Sequence, residues 1–117
     1  MKANEVRVGN YIDYTTEKEI VTMQITYEYI RLIHNGNKNF KPIRLTEEWL
    51  LKFGFKYSLR LEEFMFKDNF EIQPYKRGFL NSVIWCDNQI LEELKYVHQL
   101  QNLYFALTNK ELTFKSE

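Results

Sequence analysis

Residues 96–108 read YVHQLQNLYFALT, and this stretch decides the fold class because its apolar residues recur at helical spacing between segments that alternate like strands. Val97, Leu100, Leu103, Tyr104 and Leu107 fall on one face at steps of three and four, the stripe of a helix that covers a core with one side. Gln99, Gln101 and Asn102 fall elsewhere and are expected in water. The helix should end near Asn109, leaving Leu112 and Phe114 as a final short strand or docked tail.

Upstream, the period is two. Tyr57, Leu59 and Leu61, then Phe64 and Phe66, then Phe70, Ile72 and Tyr75 predict three strands, with turns at Asp68-Asn69 and Lys76-Arg77-Gly78. Phe79, Leu80, Val83, Ile84 and Trp85 make a further extended run, which Asp87-Asn88 breaks before Ile90 to Leu94 leads into the long helix. Before them, Thr46 reads as a helix N-cap, Glu47 and Glu48 oppose the helix dipole, and Gly54 closes the element. Trp49, Leu50 and Phe53 are the apolar stripe of this helix, expected over Thr46 to Phe53.

Nearer the start, Val6, Val8, Tyr11, Ile12 and Tyr14 surround Gly9-Asn10 and predict a short strand with a turn or bulge. Ile20 to Ile33 alternates approximately and is expected to be extended, with a bend or tight turn near Thr26 to Glu28. His34-Asn35-Gly36-Asn37 predicts a hairpin turn. Lys41 to Leu45 would be the return strand, with Pro42 marking an edge. The expected fold is therefore α+β: one domain over residues 1–117, an antiparallel sheet of about six to eight strands, one short inserted helix and a longer C-terminal helix packed on one face.

Composition bounds the function. With 117 residues, 44% of them hydrophobic, and only four glycines and two prolines, the chain can bury one core and has no evident linker. No window approaches the roughly 18 apolar residues of a membrane span, and the N-terminus lacks the apolar core of a signal peptide. A cytoplasmic protein is expected, in keeping with a single cysteine, Cys86. Sixteen basic and sixteen acidic residues cancel, so no net field draws the molecule to nucleic acid. The distribution is uneven, because residues 31–60 hold Arg31, Lys38, Lys41, Arg44, Lys52, Lys56 and Arg60 against Glu47 and Glu48 alone. That basic span is the candidate partner-binding surface.

Catalytic chemistry finds little to work with. Two widely separated histidines and one cysteine offer no metal-ligand spacing, so no metal, catalytic residue or cofactor is assigned. His98 reads as a partly exposed residue bonded to a backbone carbonyl or helix neighbour, and Cys86 as a buried filler beside Trp85. No nucleophile elbow, P-loop or dinucleotide fingerprint occurs. The acidic pairs Glu47-Glu48, Glu62-Glu63 and Glu92-Glu93 point to different faces of their elements. Tyr27, Tyr29, Arg31, Phe40 and Lys41 would suit base stacking if they shared an exposed sheet face, although aromatic residues equally serve a core.

Three motifs carry a resemblance: Val6-Arg7-Val8-Gly9-Asn10, close to LRIGN; Pro42 to Phe55, close to PIPLTEEWLLKFGF but with Arg44 where a second proline is common; and Tyr96 to Leu112, close to YVHQLQNLYFALTGEEL but with Asn109-Lys110 replacing glycine and acid. Together they resemble a family of small proteins of Bacteroidetes genomes and their phages and mobile elements, a family that brings no established activity with it. That setting implies a non-enzymatic protein that binds a host or phage protein. An inhibitor of a host defence nuclease such as a CRISPR effector (an anti-CRISPR), acting on a Cas effector or its guide-RNA complex, is one concrete form. The alternatives are a small RNA or single-stranded nucleic-acid-binding module and a phage accessory or structural protein. No membrane partner and no small-molecule substrate are expected.

Overall fold

A computed structural model describes residues 1–59, 64–73, 82–85, 88–90 and 94–114. A 3-10 turn at Ala3–Glu5 precedes β1 (Tyr11–Thr15), β2 (Ile20–Gln24), α1 (Tyr27–His34), β3 (Phe40–Lys41), α2 (Glu47–Lys52) and β4 (Lys56–Tyr57). Then follow β5 (Met65–Lys67), β6 (Phe70–Gln73), β7 (Ser82–Trp85), β8 (Asn88–Ile90) and α3 (Val97–Thr108). The α+β class holds, but the strands form two antiparallel sheets rather than one. One has three strands in the order β2-β1-β3; the other has five in the order β4-β5-β6-β7-β8. The division arises because β3 turns back onto β1 through Asp13↔Lys41 and Tyr14↔Phe40, and α2 then intervenes before β4.

The largest correction concerns Ile20 to Ile33. Only Ile20–Gln24 is strand, and Tyr27–His34 is helix. Thr26 caps that helix by accepting the Tyr29 N–H at 3.4 Å, Glu28 sits in its first turn, and Ile30 and Ile33 turn inward a turn apart. β-branched and aromatic side chains disfavour a helix only weakly, and burial of Ile33 against Ile12, Ile25 and Phe40 outweighs that preference. Gly36, at φ +94, closes α1 instead of turning a hairpin, so the expected return strand over Lys41 to Leu45 has no preceding partner: only Phe40–Lys41 is strand, paired with β1, while Arg44 bridges to Tyr96. Pro42 does follow an edge strand, as anticipated.

Two smaller expectations shift as well. Val6–Asn10 is a turn, with the Asn10 N–H bonded to the Arg7 carbonyl at 3.0 Å and Gly9 at φ +95, so the first strand starts only at Tyr11. In the five-stranded sheet Met65 is the buried member of β5, with Phe64 and Phe66 half-buried, while Tyr57 and Leu59 are exposed. A one-residue offset in β5 exchanges the faces of all its side chains. Phe70, Ile72 and Val83 are buried as expected. Leu61, Tyr75, Phe79, Leu80, Cys86, the Lys76-Arg77-Gly78 turn and the pairs Glu62-Glu63 and Glu92-Glu93 lie outside the described residues.

α2 follows its expectation closely. Thr46 accepts the Trp49 N–H at 3.3 Å, and Leu50 and Phe53 are buried. Gly54 adopts φ +88, and the Lys67 ammonium donates to the Phe53 carbonyl at 2.7 Å, placing a cation at the negative end of the helix. α3 ends at Thr108, and its capping residue Asn109 takes the left-handed conformation at φ +59. Its stripe packs Val97, Leu100 and Tyr104 onto α2 and the five-stranded sheet, with the Tyr104 ring 5.4 Å from Phe70. The tail is docked rather than stranded: Leu112 is buried and the Phe114 ring stacks on Tyr11 at 4.5 Å.

Two separate cores result. Neighbouring residues of β1 point to opposite faces, so Tyr11 enters the core under α3 while Ile12 enters the one under α1. Because Leu100 is fully buried at the centre of the larger core, Leu100→Ala should cost about 2–5 kcal/mol in urea unfolding. Leu51→Ala, on the exposed side of α2, should change stability by no more than about 0.5 kcal/mol.

Candidate functional site

The densest polar cluster joins the first and last motifs. On α3, His98, Gln101, Asn102 and Phe105 recur at i, i+3, i+4 and i+7, forming a second stripe beside the apolar one. Gln101 lies fully buried, not in water as expected. Its Oε1 accepts the Tyr11 N–H at 2.8 Å and its Nε2 donates to the Gly9 carbonyl at 3.2 Å. β3 is only two residues long and pairs with Asp13 and Tyr14, so it stops short of Tyr11. The glutamine amide supplies the missing rung.

Around it the Asn102 Oδ1 accepts from Arg7 Nε at 3.1 Å and from Asn10 Nδ2 at 2.9 Å, while the Asn102 amide donates to the Glu5 carbonyl at 3.3 Å. The Arg7 guanidinium pairs with Glu111 and lies 4.4 Å from the centre of the Phe105 ring. This arrangement holds the N-terminal turn against α3. Each described donor in it meets an acceptor, so its chemistry is that of a clasp.

His98 departs from expectation too: only 2% of it is exposed, its ring lies parallel to Tyr96 at 5.8 Å, and its Nδ1 has no hydrogen-bond partner. Burial lowers its pKa; the Glu5 carboxylate opposes that shift and the N-terminal ammonium reinforces it. Tyr104 moves the other way, because burial and the Asp68 carboxylate, which accepts its hydroxyl at 2.7 Å, both raise its pKa.

The described residues of the basic span are distributed over elements of both sheets. Arg31 is exposed on α1 with Glu28 at 3.9 Å, and Lys38 and Lys41 line a surface recess of about 420 Å³ with Met1, Ile33, Asn37 and Phe40. These three belong to the half of the molecule built on the three-stranded sheet. Lys52 lies on α2 over the Trp49 ring at 5.1 Å, and Lys56 lies on β4, both in the other half. Arg44 is exposed in the connector, where Leu45 N bonds to Lys95 O and Val97 N to Ile43 O, each at 2.8 Å. Arg60 is outside the described residues.

The row of stacking residues is also divided, since Phe40 is buried and Tyr29 packs half-buried against it at 5.5 Å. Helical winding instead brings exposed Tyr27 (69%) beside Arg31 one turn on, with exposed Leu32 (43%) adjacent. Sequence reasoning missed this face because it took the segment as extended. The capping pattern Thr26-x-Glu28 was the available signal.

Among the described residues no three His, Cys, Asp or Glu side chains converge as a metal site, and no helix is long and apolar enough to cross a membrane. Comparison of the chain with protein-family models, with curated proteins and with solved structures finds no match.

Gln101→Leu leaves the buried Tyr11 N–H unpaired, while the Gly9 carbonyl keeps the Gln24 Nε2 donor at 3.2 Å, and chemical denaturation should show a loss of about 1–3 kcal/mol. For His98 the lowered pKa means that the unfolded chain binds the proton first on acidification. Stability should be fully present above the ordinary histidine value near 6.5 and decline as pH falls from there through the folded-state pKa. His98→Gln should flatten that part of the stability profile, as read by thermal melts in steps of pH.

Proposed function

We propose that the protein is a non-enzymatic binding protein that engages an acidic surface of a partner protein through the exposed face of α1 and the lysine-lined recess beside it. The observation that supports this is the pairing of Tyr27 with Arg31 one turn apart on the solvent-facing side of α1, in the same half of the molecule as Lys38 and Lys41. Tyrosine and arginine are the side chains that most often anchor protein interfaces, and a rim of lysines speeds encounter with an acidic partner. Lys52 and Lys56, in the other half, are left out of the contact.

The likeness of the three motifs to small proteins of Bacteroidetes phages and mobile elements supports a finer form of the proposal: the partner is a host defence nuclease such as a CRISPR effector, or that effector with its guide RNA. Stoichiometric occupation of an acidic groove would be the mode of inhibition. Both the finer and the coarser form use the same residues of α1 and the recess.

The test is a titration of effector nucleases from the same bacterial lineage with the purified protein. Inhibition at near-equimolar ratio is expected, and the double variant Arg31→Glu/Lys41→Glu should weaken it about tenfold or more while leaving thermal stability unchanged. Full nuclease activity at large excess would remove the inhibitor reading. Binding to short RNA or single-stranded DNA that weakens steeply between about 50 and 200 mM salt would replace it with the nucleic-acid reading.

A further inference from the structure

We propose that the outer edge of β2 pairs with the same edge of a second copy of this chain, antiparallel about a two-fold axis at Thr22, joining two three-stranded sheets into one. The evidence is the orientation of the backbone. Ile25 donates to the Asn10 carbonyl at 2.7 Å and accepts the Gly9 N–H at 2.9 Å, and the Glu19 carbonyl accepts the Thr16 N–H at 2.9 Å. These odd-numbered residues aim their polar groups at β1. By alternation Ile20, Thr22 and Gln24 aim theirs outward, where no strand pairs with them among the described residues.

Soluble proteins usually blunt such an edge with a charge, a proline or a bulge. The opposite edge is blunted here, since β3 is two residues long, contains Lys41 and runs into Pro42. β2 has no such device: Ile20 to Gln24 carry no charge and no proline, their register with β1 is unbroken, and Ile20 (66%) and Val21 (39%) are exposed. The edge differs from the α1 face of the preceding section, so either assignment can fail alone.

A second copy fits this edge on three counts. Thr22 meets its own counterpart, Ile20 meets Gln24, and every outward-facing residue meets another outward-facing residue, as an antiparallel ladder requires, for about six added backbone hydrogen bonds. On the apolar face Val21 meets Met23, extending the layer that the register already builds from Ile12↔Met23 and Tyr14↔Val21. Along the chain the nearest charged residues, Glu19 and Lys18, lie past one end of the strand, where this register sets them against Ile25 and Thr26 and not against each other, and Asp13 lies one strand inward, bonded to the Thr22 hydroxyl.

The experiment is light scattering on the full chain after size exclusion, across a concentration series. Wild type should approach twice the 14.3 kDa of one chain as concentration rises. Thr22→Lys and Thr22→Glu each set like charges against themselves across the axis and should elute as monomers with unchanged circular dichroism; mixed in equal amounts, they should recover the dimer mass. Should Thr22→Glu unfold beside Asp13, which accepts the Thr22 hydroxyl, adding Asp13→Asn removes that repulsion and preserves the mixing test. A wild-type monomer at every concentration overturns the proposal, as does a dimer that both single variants leave intact. Capture of an extended peptide by a monomeric wild type would assign the edge to another protein and likewise overturn self-pairing.

Discussion

The side-chain amide of Gln101 is the contact on which the two halves of this molecule depend. It completes the ladder of β1 at Tyr11, where β3 is too short to reach, and it does so from a helix whose neighbouring stripe fills the larger core. A backbone N–H and carbonyl at a buried sheet end must be paired, and an amide side chain presents a donor and an acceptor in the spacing of a peptide. Removing that one group would leave the three-stranded sheet with an unfinished, water-excluded end. The Arg7–Asn10–Asn102–Glu111 contacts brace the same junction from the surface side.

That junction joins the first and the last of the three motifs. The segment from Glu5 to Tyr11 and the QLQN segment of α3 are separated by most of the chain, yet each supplies what the other lacks: the Glu5 and Gly9 carbonyls and the Tyr11 N–H from the first, side-chain amides from the helix. Their chemistry is spent on this internal contact. Elsewhere, among the described residues, α1 exposes Tyr27 and Arg31, and no strand pairs with the outer edge of β2.

His98 shows what close packing at the same helix entails. The clasp draws the first turn of α3 inward, and a titratable ring goes in with it, stacked on Tyr96 and lacking a partner for Nδ1. A neutral imidazole tolerates that position and an imidazolium does not, so the junction is most secure where histidine is uncharged.

What the sequence by itself determined was the local grammar. The apolar stripe of α3, the Thr46 cap and Gly54 stop of α2, and the alternation through Phe70 and Ile72 all follow from short-range periodicity and backbone preference, and they survive in the structure. Tertiary structure decided the rest. Whether Tyr27–His34 would be strand or helix depended on a core made by Ile12 of β1, Phe40 of β3 and Ile25 between β2 and α1. Whether the strands would make one sheet or two depended on β3 returning to β1. The burial of Gln101 depended on a gap in a ladder some ninety positions away, and the scattering of Arg31 to Lys56 over both halves depended on how those halves were joined. Periodicity reports which side chains share a face, but only long-range pairing fixes what that face meets.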